Sequence, residues 1–162
     1  MAPRPGDFIV FKTNGWAARL IQVGTRSRWN HAAIYIGYEL GVQTIIEAQP
    51  KGVRRSRLSD YPVGTYVVSH GDTSPWQRAK VVKYARAQIG TGYGWLDIVA
   101  LALVNLGIRP KWLDNYAAND DRLVCSQLVS QAYAYAGIPL TKDDPWTVSP
   151  GDLADVILEE TP

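Results

Sequence analysis

The chain has 162 residues, 46% of them apolar and 20% charged, a balance that suits a single globular domain over 1–162 and excludes wholesale disorder. One cysteine excludes an intrachain disulfide, and one cysteine with two histidines is too small a set for a structural zinc site, so no metal or other cofactor is expected. The net charge of +2 hides an imbalance: residues 1–90 carry 13 basic and 5 acidic side chains, residues 91–162 carry 4 and 10.

In chain order, GDFIVF (6–11) predicts a short strand. Asn14 can cap a short helix from about Gly15 to Val23, ended by Gly24. AAIYIGY and VQTIIEA, separated by a turn at Glu39 to Gly41, predict an antiparallel hairpin, and TYVVSH a third strand. SPWQ marks a helix start, with Ser74 as N-cap, Pro75 at the first position and Gln77 completing a capping box; that helix ends at Gly90. The loop GTGYG leads into an apolar helix from about Trp95 to Leu106. It is interrupted by polar residues and falls short of the ~20 apolar residues needed to span a bilayer. After the polar loop DNYAANDD, LVCSQLVSQAYAYAG predicts a helix stopped by Gly137, and Ser149 offers the N-cap of a last one. Helices and antiparallel strands in separate blocks predict an α+β fold. The N-terminus MAPRPGDF has no apolar h-region, so no signal peptide is expected. That leaves a cytoplasmic protein, or one released by lysis, a dedicated secretion machine or phage delivery.

Cys125 falls where the polar loop gives way to a helix. A lone cysteine is commonly a small core residue, but in a helix's first turn the unpaired N–H groups and the dipole favour the thiolate. Those N–H groups can also face an oxyanion. Asp120 and Asp121 oppose the thiolate, so a nearby base matters. His31, opening the strand HAAIYIG, is the candidate base. With the turn centred on Glu39, paired residue numbers sum to 78, which sets His31 directly opposite Glu47. A carboxylate there can fix the imidazole tautomer and stabilise the imidazolium, although a one-residue slip would send it to the other face. Cys125, His31 and Glu47 thus form a candidate nucleophile, base and orienter. Trp29, close to His31, can wall a cleft. His70, outside these segments, reads as a loop residue. Lys51, Arg54, Arg55 and Arg57 form a basic cluster that either serves the fold or rims a site for an anionic substrate. No nucleic-acid motif accompanies it.

The ordered segments resemble a known family. WNHAAIYIG looks like the histidine strand of the NlpC-like, papain-fold amidohydrolases; IIEAQPKGV and VCSQLVSQAYAYAGIPL look like the next strand and the cysteine helix of their circularly permuted, YiiX-like branch. GDFIVF and SPGDL fit the same layout, so the resemblance runs from about residue 6 to 157. It implies a papain-like α+β fold, with an antiparallel sheet packed against helices and the cysteine at a helix N-terminus. It also implies Cys125 as nucleophile, His31 as base and Glu47 as third member. The GTGYG loop is similar to a stretch that brings a tyrosine to the cleft, which makes Tyr93 a candidate substrate contact or a packing aromatic. Trp29 and Ser126, the residue after the cysteine, complete the candidate substrate contacts.

The expected function is cysteine-dependent hydrolysis of a peptide or isopeptide amide through a thioester, with bacterial cell-wall peptide as one substrate. Two alternatives stand beside it. One is a lipid acyl hydrolase or acyltransferase using the same triad, although related lipid-processing members commonly carry a second histidine where this chain has Glu47. The other is an inert binding module on the same scaffold, motivated by the acidic pair beside Cys125. The oligomeric state is not legible in the sequence.

Overall fold

A computed structural model of the protein describes residues 2–14, 27–49, 51–69, 71–92, 125–142, 144–145 and 147–159. The helices expected near 15–23 and 95–106, the polar loop at 114–121, His70 and Tyr93 lie outside these residues.

Among the described residues, five strands form one antiparallel sheet: β1 (Phe8–Phe11), β2 (His31–Glu39), β3 (Val42–Gln49), β4 (Gly52–Arg57) and β5 (Tyr66–Val68), in the spatial order β4-β3-β2-β1-β5. A short 3-10 turn, Leu58–Asp60, follows β4. The helices are α1 (Pro75–Ala87), α2 (Cys125–Tyr135) and α3 (Pro150–Glu159). Among the described residues no helix is long and apolar enough to cross a membrane.

Alternation along the strands divides the apolar side chains between two faces. Phe8, Val10, Ala32, Ile34, Ile46 and Ala48 face the helices and pack with Val81, Ala85, Leu128, Ala132 and Leu153. Ile9, Phe11, Ala33, Tyr35 and Ile45 face the other way, under Leu58, Tyr61 and Tyr66. Both faces of β2 are therefore covered, which is why it reads as a nearly unbroken apolar run.

The helix ends follow local chemistry. The Ser74 hydroxyl accepts from Gln77 N (3.2 Å) and the Gln77 side chain accepts from Ser74 N (2.9 Å). Ser149 and Asp152 exchange the same pair of bonds at the start of α3, at 3.3 and 2.7 Å. At the end of α2, Ile138 N donates to Tyr133 O (3.1 Å) and Gly137 N to Ala134 O (2.9 Å), the paired bonds of a Schellman stop. Tyr133 then ties α2 to the chain before β1, its hydroxyl donating to Gly6 O (2.7 Å) and its ring meeting Phe8 edge-on.

Two findings differ from the sequence reading. The segment GVRRSR, expected only as a basic cluster, is strand β4: Val53 faces the helices while Arg54 and Ser56 share the face of Glu47. The β2–β3 register is also different. The turn has two central residues, Leu40 (φ 50°) and Gly41 (φ 79°), so pairing starts at Glu39↔Val42 and not around Glu39. A β-bulge then leaves Ile36 unpaired between Tyr35 and Gly37, the latter at φ 100°. The residue directly opposite Glu47 is therefore Ala33 and not His31.

The two offsets act together on the site. Continued without the bulge, the hairpin register would oppose Glu47 to Ile34 and turn the carboxylate towards the helices. The extra residue at Ile36 moves the pairing by one and returns Glu47 to the face of His31. The net displacement from the expected register is two residues, an even number, so the two side chains still share a face and meet diagonally.

Candidate active site

The end of β2 is fixed before His31 is reached. Asn30 is buried; its Oδ1 accepts from Thr13 N (2.9 Å) and Oγ1 (2.8 Å), its Nδ2 donates to Thr13 O (2.8 Å), and its backbone N donates to Phe11 O (3.1 Å). This clasp closes β1 against β2 at the level where His31 pairs with Phe11. The imidazole then packs against the rings of Phe11 (5.6 Å between centroids) and Tyr61 (6.1 Å, 24° between planes).

The His31 ring is shared between two partners. Nε2 lies 2.7 Å from Glu47 Oε2, and the side chain also hydrogen-bonds Cys125, for which Nδ1 is the remaining ring nitrogen. Burial opposes a charge on His31. The hydrogen bonds and charges of Cys125 and Glu47 outweigh it and push the imidazole from 6.5 up to about 9. His31 is therefore an imidazolium at neutral pH. Cys125 is the first described residue of α2 and is buried against the helix-side core.

Glu47 is fully buried and surrounded by donors. Oε2 accepts from His31, from the Tyr61 hydroxyl (2.5 Å) and from Gln49 Nε2 (3.0 Å); Oε1 accepts from Ser56 Oγ and from Arg54 Nη2 (3.3 Å) and Nε (3.4 Å). Burial alone would raise its carboxyl, but His31, Ser56 and Tyr61 hold it far below the usual carboxylate range. The Tyr61 phenol is pushed far up, by burial first and then by the carboxylate it serves. Glu47 thus stays ionised and Tyr61 stays a donor.

The structure brings Cys125, His31 and Glu47 together. Trp29, expected to wall a cleft, is 7% exposed and belongs to the helix-side core, with Lys12 Nζ 4.5 Å from its ring centroid. Ser126 is fully buried and its hydroxyl has no hydrogen-bond partner among the described residues, so its side chain does not present itself to solvent. Tyr93 is outside the described residues; just before it, Val53 N donates to Thr91 O (2.9 Å) and Gly90 N to Val53 O (2.9 Å), which ties residues 90–91 to the start of β4. Of the basic cluster, Arg54 reaches Glu47, while Arg55 joins Arg86 on Glu39 at 3.1 and 2.9 Å.

Sequence reasoning missed Gln49, Ser56 and Tyr61. Gln49 was in principle visible, two residues from Glu47 and so on its face. Ser56 required knowing that β4 exists. Tyr61 comes from a turn with no periodic signal.

The family model described as permuted papain-like amidase, YaeF/YiiX, C92 family, matches residues 2–145. A curated relative, the probable lipoprotein peptidase YaeF of Escherichia coli K12, is 25% identical over 174 residues; the match covers 93% of this chain and 62% of that protein, so the chain spans less than two thirds of its relative's length. The crystal structure of a protein described as metalloprotein YiiX, from Escherichia coli O157:H7, superposes with a TM-score of 0.64 at 21% identity, covering 91% of this chain and 79% of the other. That likeness supports the fold. Among the described residues of the present chain, no three His, Cys, Asp or Glu side chains are grouped to hold an ion.

Proposed function

This chain belongs to the permuted papain-like amidase family, and on that premise we propose that it hydrolyses a peptide or isopeptide amide through a thioester on Cys125. One observation carries the reading: a buried imidazole, cationic at neutral pH, stands between the only thiol in the chain and a buried, ionised carboxylate. In this reading His31 holds the proton taken from Cys125, and Glu47 fixes Nε2–H so that Nδ1 serves the sulfur. The thiolate attacks the amide carbonyl. Backbone N–H groups of the first turn of α2, including that of Ser126, receive the oxyanion because a helix start has no intrahelical acceptor for them. The Nδ1 proton passes to the leaving amine and the C–N bond breaks, leaving a thioester. Neutral His31 then takes a proton from water, hydroxide attacks the thioester, and the sulfur leaves with its charge restored beside the imidazolium.

Bacterial cell-wall peptide is the proposed substrate, with Tyr93 as a contact from the GTGYG loop and Trp29 as the wall behind the site. The test is cleavage of cell-wall peptide fragments by wild type, Cys125→Ala and His31→Ala, with mass spectrometry of the trapped intermediate. Loss of cleavage in both variants and a peptidyl adduct on Cys125 are expected. Undiminished cleavage by a folded Cys125→Ala protein would reject the nucleophile, and a fatty-acyl adduct from phospholipid would move the assignment to lipid acyl transfer.

A further inference from the structure

The Glu47 carboxylate has more donors than one histidine needs. A carboxylate presents about four lone-pair sites. Here Oε2 alone meets His31 Nε2 at 2.7 Å, the Tyr61 hydroxyl at 2.5 Å and Gln49 Nε2 at 3.0 Å, while Ser56 and Arg54 occupy Oε1. The Tyr61 and His31 protons are thus positive ends aimed at one oxygen from neighbouring directions. They compete for its charge. The Tyr61 ring is also one of the two that pack on the imidazole, and it is itself held by Phe11 at 4.3 Å between centroids.

We propose that Tyr61 is a positioning residue of this site: its ring sets the plane of the His31 imidazole, and its hydroxyl limits how tightly Glu47 holds the imidazolium. The inference rests on the amidase reading in so far as His31 must release a proton to a leaving amine. An imidazolium clamped by an undiluted carboxylate is a weaker acid, and proton transfer in the transition state slows accordingly. Among the described residues, three charged or titratable groups besides Tyr61 meet the pair or one of its members. Glu47 faces His31 from β3, Cys125 faces it from α2, and Arg54 approaches the carboxylate from β4. Arg54 is exposed and therefore screened by water, whereas Tyr61 is in direct contact and remains protonated throughout the working pH range.

The expected sign separates tuning from simple loosening. If Tyr61 only braced the site, removing its hydroxyl would let Glu47 drift and His31 would lose its proton at lower pH. If the hydroxyl dilutes the carboxylate, removing it strengthens the remaining bond and His31 holds its proton to higher pH. Tyr61→Phe keeps the ring and deletes the donor. The chain has two histidines, so ring carbon–proton NMR of the whole protein, with His70→Gln for assignment, follows His31 directly and without substrate. The expected result is an upward displacement of the His31 titration by about half a pH unit in Tyr61→Phe, with His70 unmoved. On an amide substrate, kcat should fall by about three- to tenfold at unchanged KM. Ser56→Ala, which deletes the hydroxyl on the other carboxylate oxygen, should displace the titration in the same direction by less, and it decides the question if Tyr61→Phe does not fold. A His31 titration that stays in place or moves down in a folded variant overturns the proposal. Cys125→Ala that still cleaves amides would overturn the thioester reading while leaving the titration result intact, so the two failures are distinguishable.

Discussion

Replacing Glu47 by glutamine is the sharpest perturbation of the His31–Glu47 pair. The substitution preserves volume, but one acceptor oxygen becomes an NH2 donor. Either orientation then turns N–H groups on existing donors: His31, Tyr61 and Gln49 on one side, or Ser56 and Arg54 on the other. Removing one partner of a buried pair costs on the order of 3–5 kcal/mol. The exposed Arg54 adds little to that, being screened. The second consequence is chemical. Lifting His31 from 6.5 to about 9 corresponds to about 3 kcal/mol in favour of the imidazolium, supplied against burial by Cys125 first and Glu47 second. Loss of the carboxylate removes one of the two contributions that outweigh burial, so His31 gives up its proton at lower pH and the alkaline limb of kcat/KM moves down, by on the order of one pH unit. The assay is kcat/KM on a cell-wall peptide amide from pH 5 to 10 for wild type and Glu47→Gln, with thermal denaturation of both at one pH. A folded Glu47→Gln protein whose alkaline limb coincides with wild type would show that the carboxylate does not hold the imidazolium, and its role as orienter would have to be abandoned.

Because His31 binds its proton more tightly folded than unfolded, its contribution to stability is complete below pH 6.5 and disappears as pH rises through about 9; thermal midpoints should fall across that window, and His31→Ala should flatten the fall. Glu47 contributes with the opposite sign, its stabilisation being present above the ordinary carboxylate range and lost only in strong acid, so Glu47→Gln should make the thermal midpoint less sensitive to acidification below about pH 4.5. Gly52→Ala should destabilise more than Gly41→Ala in chemical denaturation, although both sites have positive φ: a Cβ at Gly52 would lie 2.8 Å from Thr91 O, whereas Gly41 opens on empty space, and strain of about 1–3 kcal/mol at Gly52 against about 1 at Gly41 is expected. Equal losses would show that the loop at residues 90–92 yields freely.

The parts of the structure legible in the sequence are those decided by neighbouring residues. Ser74, Pro75 and Gln77 announce α1, Gly137 announces the end of α2, and Ser149 the start of α3, because each satisfies backbone groups within a few positions. The β2–β3 hairpin was readable for the same reason. Its register was not, since the bulge at Ile36 leaves no compositional mark beyond Gly37. Strand β4 was hidden because its outward charges interrupt the apolar alternation, a pattern that suits an edge strand and conceals it. At the site, Cys125 and His31 stand where the order of elements places them. Ser56 and Tyr61 come from segments whose proximity to Glu47 exists only after the sheet has formed and the chain has turned beneath it. The burial of Ser126 and Trp29 likewise depends on packing against distant segments that periodicity does not report.

The unpaired Ile36 has a bearing on how this family can vary. Side-chain direction in a sheet is a two-valued property, so a residue inserted into or deleted from β2 or β3 between His31 and Glu47 does not nudge the acid away; it reverses it unless a bulge takes up the change. The tip at Leu40–Gly41 can absorb extra residues as a longer turn with the strand pairs unchanged. Alignments of relatives should therefore show lone gaps at the tip, whereas gaps within the strands should come with the gain or loss of a bulge, and a chain with an uncompensated strand gap would have to recruit its acid from another strand.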